Sequence, residues 1–125
     1  MSREQRKILD RTLRRPAPSK PQTVEEMRAN FAAMMAAMKV PAGVRITPTT
    51  LGNRPGVSVD PAQDTRPGII LYFHGGSYIM GSPYTAMSLT ANLVDRTRIR
   101  SVSLDYRLAP EHPFPAALED ALAAY

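Results

Sequence analysis

Ile69-Ile70-Leu71-Tyr72-Phe73-His74-Gly75-Gly76 is the stretch on which the fold turns. Its five consecutive apolar residues predict a strand over 68–73 that is buried on both faces. The two glycines after His74 let the backbone turn sharply and come close to a ligand. Backbone N–H groups left free at the end of such a strand can stabilise an oxyanion. Downstream, residues 85–97 put Met87, Leu89, Leu93 and Val94 on one helical face. Val102 and Leu104 then alternate with Ser101 and Ser103, marking a strand that ends at Asp105. Pro115 suits the first turn of a helix that continues from Ala116 to Tyr125. The order strand, helix, strand, helix predicts a βαβ unit with a parallel sheet and a right-handed crossover.

Upstream, residues 44–51 and 57–59 carry short strand signals, separated by Gly52-Asn53-Arg54-Pro55-Gly56. Before them, Thr23 and Glu26 form a capping box ahead of a 3.6-residue pattern. Val24, Met27, Phe31, Met34, Met35 and Met38 fall on one face, and Pro41 and Gly43 stop the helix. A Met-rich stripe of this kind either lines an adaptable apolar passage or is core. Residues 3–15 predict a further helix, capped by Ser2 and Gln5, with only Ile8, Leu9 and Leu13 as its apolar stripe. Pro16, Pro18 and Pro21 follow as a stiff, extended linker.

A chain of 125 residues is enough for one modest core. It has no cysteine, which excludes disulfides, thiolate metal sites and cysteine nucleophiles. No apolar stretch approaches the roughly 20 residues of a membrane span. The sequence is charged from Arg3 onward and lacks the apolar core of a secretory signal, so a cytoplasmic protein is expected. The formal charge of +5 is concentrated in residues 1–20, which hold seven basic and two acidic residues. No stacking aromatic accompanies them, so a solvated helix face is expected there and not a nucleic-acid-binding arm.

Thirty residues beyond His74 comes Asp105-Tyr106-Arg107-Leu108-Ala109-Pro110-Glu111-His112-Pro113-Phe114-Pro115. At this spacing from His74-Gly75-Gly76, the pair of segments resembles the hormone-sensitive-lipase-like branch of the α/β-hydrolases. An HGGG-type loop is an oxyanion element of lipases and esterases. The resemblance covers about residues 50–125 and implies an α/β fold. Its expected form is the N-terminal part of an α/β-hydrolase, a mostly parallel sheet with helices on both faces that opens on an antiparallel hairpin. Cap-type helices are expected over 1–42 and the first half of the hydrolase domain over 43–125.

The same resemblance implies that Gly75 and Gly76 supply oxyanion-hole N–H groups, supported by His74, Ser77 and Tyr78. It gives Asp105, Arg107 and Glu111 a structural bracing role, with Arg107 pairing with Glu111 or Asp105. A histidine common in the family is replaced by Ala86. No Gly-x-Ser-x-Gly occurs in the chain, so no catalytic nucleophile, acid or base is assigned within it. Ser77 with His74 three residues away is a poor substitute, because no strand-to-helix elbow is predicted there. Asp105, Glu111 and His112 as metal ligands form a weaker alternative, and neither metal nor cofactor is expected. The implied activity is hydrolysis of a small apolar ester or lactone, with no nucleic-acid partner and no stable membrane insertion. The alternative is a non-catalytic small-molecule-binding protein on the same scaffold.

Overall fold

The computed structural model describes residues 2–14 and 21–125; the prolines expected to form a linker at 16 and 18 lie outside that range. Helix α1 (Arg3–Leu13) starts on the expected capping box, in which Ser2 Oγ accepts the Gln5 N–H and Gln5 Oε1 accepts the Ser2 N–H. Its Ile8 and Leu9 are exposed. Helix α2 (Val24–Ala36) starts on the second box, formed by Thr23 and Glu26. Val24, Met27, Phe31 and Met35 are half-buried, whereas Met34 and Met38 are exposed. The expected stripe thus narrows, because the helix ends at Ala36 and Met38 lies beyond it.

Four strands follow: β1 (Val44–Leu51), β2 (Arg54–Pro61), β3 (Ile69–Phe73) and β4 (Arg100–Leu104). They form one sheet in the order β1-β2-β4-β3. The β1–β2 and β2–β4 pairs are antiparallel, and β3 and β4 are parallel, so the sheet is mixed. Helix α3 (Met87–Thr97) makes the crossover between the parallel strands, as parallel pairing requires. Helix α4 (Ala116–Ala124) follows β4.

Strand β2 is longer than its sequence signal, because Pro55 and Gly56 lie inside it. Only Gly52 and Asn53 remain as the hairpin turn, and Gly52 takes the left-handed φ of 55° that a tight two-residue turn favours. A Cβ at Gly52 would lie 2.7 Å from the Ala123 carbonyl oxygen, so the last turn of α4 packs directly on the hairpin.

The core lies between α3 and β2. Met87, Ala91 and Val94 from the helix meet Val57 and Val59 from the strand, with Val44 at the margin. Full burial of such a side chain is worth about 1.5–3 kcal/mol for the larger ones. Ser103 and Ser101 stand opposite Val57 and Val59 across the β2–β4 ladder and share their face. Both serines are buried, and their small side chains leave room for the helix.

The expectation that β3 is buried on both faces needs correction. Ile69 is 59% exposed and Phe73 42%. Strand β3 is the edge of the described sheet, with β4 on one side and no paired strand on the other. Between Ile69 and Phe73, the side chains of Ile70, Leu71 and Tyr72 are half-buried, so both faces of the strand are partly covered.

Candidate active-site loop

Strands β3 and β4 run parallel, so their C-terminal ends lie side by side and both following loops rise from the same end of the sheet. His74 leaves β3 and Tyr106 leaves β4. Their rings stack at 4.1 Å with planes 8° apart, and the Tyr106 hydroxyl donates to the His74 carbonyl. His74 is buried. Burial holds its imidazole below the ordinary pKa, against the opposing pull of the Gly75 carbonyl and the Asp105 charge. A neutral ring places its proton on Nδ1, 3.0 Å from the Gly75 carbonyl. His74 is therefore built into the wall of the site.

Beyond His74 the chain folds into a tight turn. The Gly76 carbonyl accepts the N–H groups of Ile79 and Met80 at 3.1 and 3.0 Å. Gly76 has φ 134°, and Ser77 and Tyr78 are both left-handed, at 54° and 62°. A Cβ on Gly76 would lie 2.0 Å from the Met80 carbonyl oxygen, whereas one on Gly75 would meet nothing within 4 Å. Among the described residues, no acceptor is found for the Gly75 or the Gly76 N–H. Both glycines border a cavity of about 760 Å³ whose wall includes Phe73, Tyr106, Phe114 and Leu118.

Ser77 and Tyr78 are exposed and border the same cavity. Although Ser77 has a positive φ, the next helix does not begin until Met87, and the His74 ring is held against Tyr106. Ser77 is therefore not on a strand-to-helix elbow. Gly81 closes the rear of the loop. A Cβ there would lie 2.4 Å from the Gly75 oxygen and 2.6 Å from His74 Nδ1.

The expected pairing of Arg107 with Glu111 or Asp105 is corrected by the geometry. Arg107 Nε lies 2.9 Å and Nη2 2.8 Å from Asp120 Oδ1, and the Arg107 backbone N–H donates to Oδ2 at 2.8 Å. Glu119 and the Ala116 carbonyl complete its partners. Helix α4 turns back beneath the loop and presents Asp120 there, a long-range register that local sequence does not display. Arg54 approaches the same carboxylate at 3.5 Å.

Glu111 is instead held by Arg28 of α2, through two 2.7 Å contacts. The Arg28 side-chain hydrogen bond is the main cause that pulls its pKa down to about 2. Asp105 stands apart, raised above the ordinary carboxylate range by burial, against the charges of His74 and Arg54. No group of three His, Asp or Glu side chains suited to a metal converges among the described residues. Ala86 is buried just ahead of α3. No helix among the described residues is long and apolar enough to cross a membrane. Sequence reasoning missed Arg28 and Asp120 as parts of this site; Gly81 was visible only as a glycine inside the matching segment.

Residues 70–125 match the family described as alpha/beta hydrolase fold. The chain is 48% identical over 77 residues to an acetyl-hydrolase of Streptomyces hygroscopicus, a match covering 61% of this chain and 25% of that one. It is 50% identical over 56 residues to the esterase LipI of Mycobacterium tuberculosis, covering 45% and 18% respectively. Among solved structures, a hormone-sensitive lipase from a metagenome library superposes with a TM-score of 0.88 at 38% identity, covering 100% of this chain and 41% of that one. EstE7, a homologue of that lipase type also from a metagenome library, gives 0.85 at 37% identity, covering 100% and 40%. The chain thus spans a quarter or less of these curated relatives' length and about two-fifths of the solved structures.

Proposed function

Because the chain belongs to the hormone-sensitive-lipase-like branch of the α/β-hydrolases, we propose that it supplies the oxyanion-binding portion of a serine carboxylic-ester hydrolase. One observation carries the reading: two adjacent N–H groups without acceptors, at Gly75 and Gly76, border a largely apolar cavity. When a serine hydroxyl attacks an ester carbonyl, the C=O electron pair moves onto oxygen. The Gly75 and Gly76 N–H groups would bind that oxyanion, with a third donor from the residue after the serine. Each such donor is worth about 3 kcal/mol of barrier lowering.

In this reading His74, Ser77 and Tyr78 shape the loop, and His74 is no general base. Asp105, Arg107 and Glu111 keep the surrounding loops in place. The nucleophile, its base and its acid would come from a Gly-x-Ser-x-Gly elbow and later residues, none of which these 125 residues contain. Residues 1–42 would act as cap-type helices and 43–125 as the first half of the hydrolase domain. The proposed substrate is a small apolar ester or lactone, supported by Phe73, Phe114 and Leu118 in the cavity wall. Acyl transfer through serine needs no cofactor. The proposed compartment is the cytoplasm, which fractionation of cells expressing the whole protein tests.

Gly75→Ala in the whole protein tests the site. Among the described residues the added methyl meets nothing within 4 Å, so thermal stability is expected to stay within about 0.5 kcal/mol of wild type. It would stand where the ester carbonyl must sit, so kcat/KM for p-nitrophenyl butyrate falls by roughly 10². Unchanged turnover in this variant would refute the oxyanion assignment. Saturable ester binding without turnover in the wild-type protein would favour the non-catalytic alternative.

A further inference from the structure

We propose that Arg28 is a positioning residue, through which helix α2 sets the geometry of the Gly76–Met80 turn and hence of the oxyanion loop. The inference rests on the oxyanion reading of that loop and extends it to a residue some fifty positions away. The Arg28 guanidinium makes four short contacts. Nε donates to the Ile79 carbonyl at 2.7 Å, and Nη2 donates to the Ala109 carbonyl at 2.9 Å. Nη1 and Nη2 grip the two oxygens of Glu111, each at 2.7 Å.

These partners lie on two different loops. Ile79 follows β3, while Ala109 and Glu111 follow β4. The loops are also tied directly, since the Ala109 N–H donates to the Tyr78 carbonyl at 2.9 Å. The Ile79 backbone therefore links both ends of the device. Its carbonyl is held by Arg28, and its N–H closes the turn on the Gly76 carbonyl. A shift of α2 acts on Ile79, and Ile79 acts on Gly76.

Arg28 is also the most specific attachment α2 has. The helix contains no fully buried residue, and its apolar stripe is only half-covered. A planar guanidinium satisfies two carbonyls and one carboxylate at fixed angles, whereas an ammonium holds no such fork. Ordinary packing of a helix would be indifferent to that difference.

The test compares Arg28→Lys, Arg28→Ala and Glu111→Gln with wild type in the whole protein. Amide hydrogen exchange at Ile79 and Met80 reads the turn without reference to catalysis. Exchange there is expected to accelerate roughly tenfold or more in Arg28→Lys, with β2 and α3 unchanged. In the same variant kcat for p-nitrophenyl butyrate falls roughly tenfold while KM moves less than about twofold, the pattern of a transition-state effect. Glu111→Gln lies between wild type and Arg28→Lys, because the fork keeps its two carbonyls. Wild-type exchange at Ile79 and Met80 in Arg28→Lys overturns the proposal. So does a rise in KM with kcat preserved, which would make Arg28 a substrate contact. If Arg28→Ala does not fold, the other two variants decide. If the wild-type protein hydrolyses no ester, the function proposed above fails, and the exchange data still decide the coupling.

Discussion

Asp120→Asn removes the charge from the centre of the brace beneath the β4 loop, and its cost follows from the contacts. Asp120 is 6% exposed and accepts from the Arg107 backbone N–H and from two Arg107 side-chain nitrogens within 3.0 Å. Breaking a buried ion pair typically costs about 3–5 kcal/mol. Here Arg107 is 29% exposed, retains Glu119 and the Ala116 carbonyl, and finds the amide oxygen of the new asparagine. The discounted expectation is a loss of about 2 kcal/mol at pH 7, read as a lower urea midpoint at unchanged slope. The pH dependence is a second, independent reading. Burial works to raise the Asp120 pKa, and the Arg107 hydrogen bonds and the charges of Arg107 and Arg54 outweigh it, leaving the carboxyl below its ordinary 3.8. A depressed carboxyl pKa adds stability above the unfolded value and loses it as pH falls through the folded one. The gap between wild type and Asp120→Asn is therefore full at pH 7 and narrows below about 3.8. A gap under about 0.5 kcal/mol at pH 7, or one of equal size at pH 7 and pH 2.5, refutes the account of the brace.

Two further substitutions probe the backbone and the core. Gly76→Ala is expected to destabilise the whole protein by about 2–5 kcal/mol, combining left-handed strain with overlap on the Met80 carbonyl; a urea midpoint equal to that of Gly75→Ala would refute the contrast between the two glycines. Ser103→Ala removes a buried hydroxyl for which no hydrogen-bond partner is found among the described residues, so stability holds or rises by about 1 kcal/mol. A loss of more than about 1 kcal/mol on urea titration would show that the hydroxyl has a partner.

The parts of the site that could be read from the sequence are those whose physics is local. A five-residue apolar run followed by His-Gly-Gly reads as a strand and a turn from local residues alone, and β3 appears within one residue of its expected bounds. The two capping boxes, each a reciprocal contact over three residues, are equally local. Strand β2 was read too short because Pro55 and Gly56 suppress the local strand signal, while pairing with β1 and β4 keeps them in the ladder. The exposure of β3 has a different cause, its place at the edge of the described sheet. Hydropathy records what a residue favours, and burial depends on which neighbours the chain brings to it. Arg107 carried a correct expectation of a carboxylate partner but the wrong one, since Asp105 and Glu111 are nearer in sequence and Asp120 is nearer in space. Arg28 offered no signal at all: its partners lie 51 to 83 positions away.

The back of the loop and its front answer to different rules. Behind it, Gly81 stands against the Gly75 carbonyl and the His74 ring with no room for a methyl group. In front, Ser77 and Tyr78 are exposed and border the cavity, on a turn already closed by Gly76, Ile79 and Met80. Substitution at 77 or 78 therefore changes a side chain at the cavity wall, among those that tolerate a left-handed backbone, while 76 and 81 leave no room for any side chain.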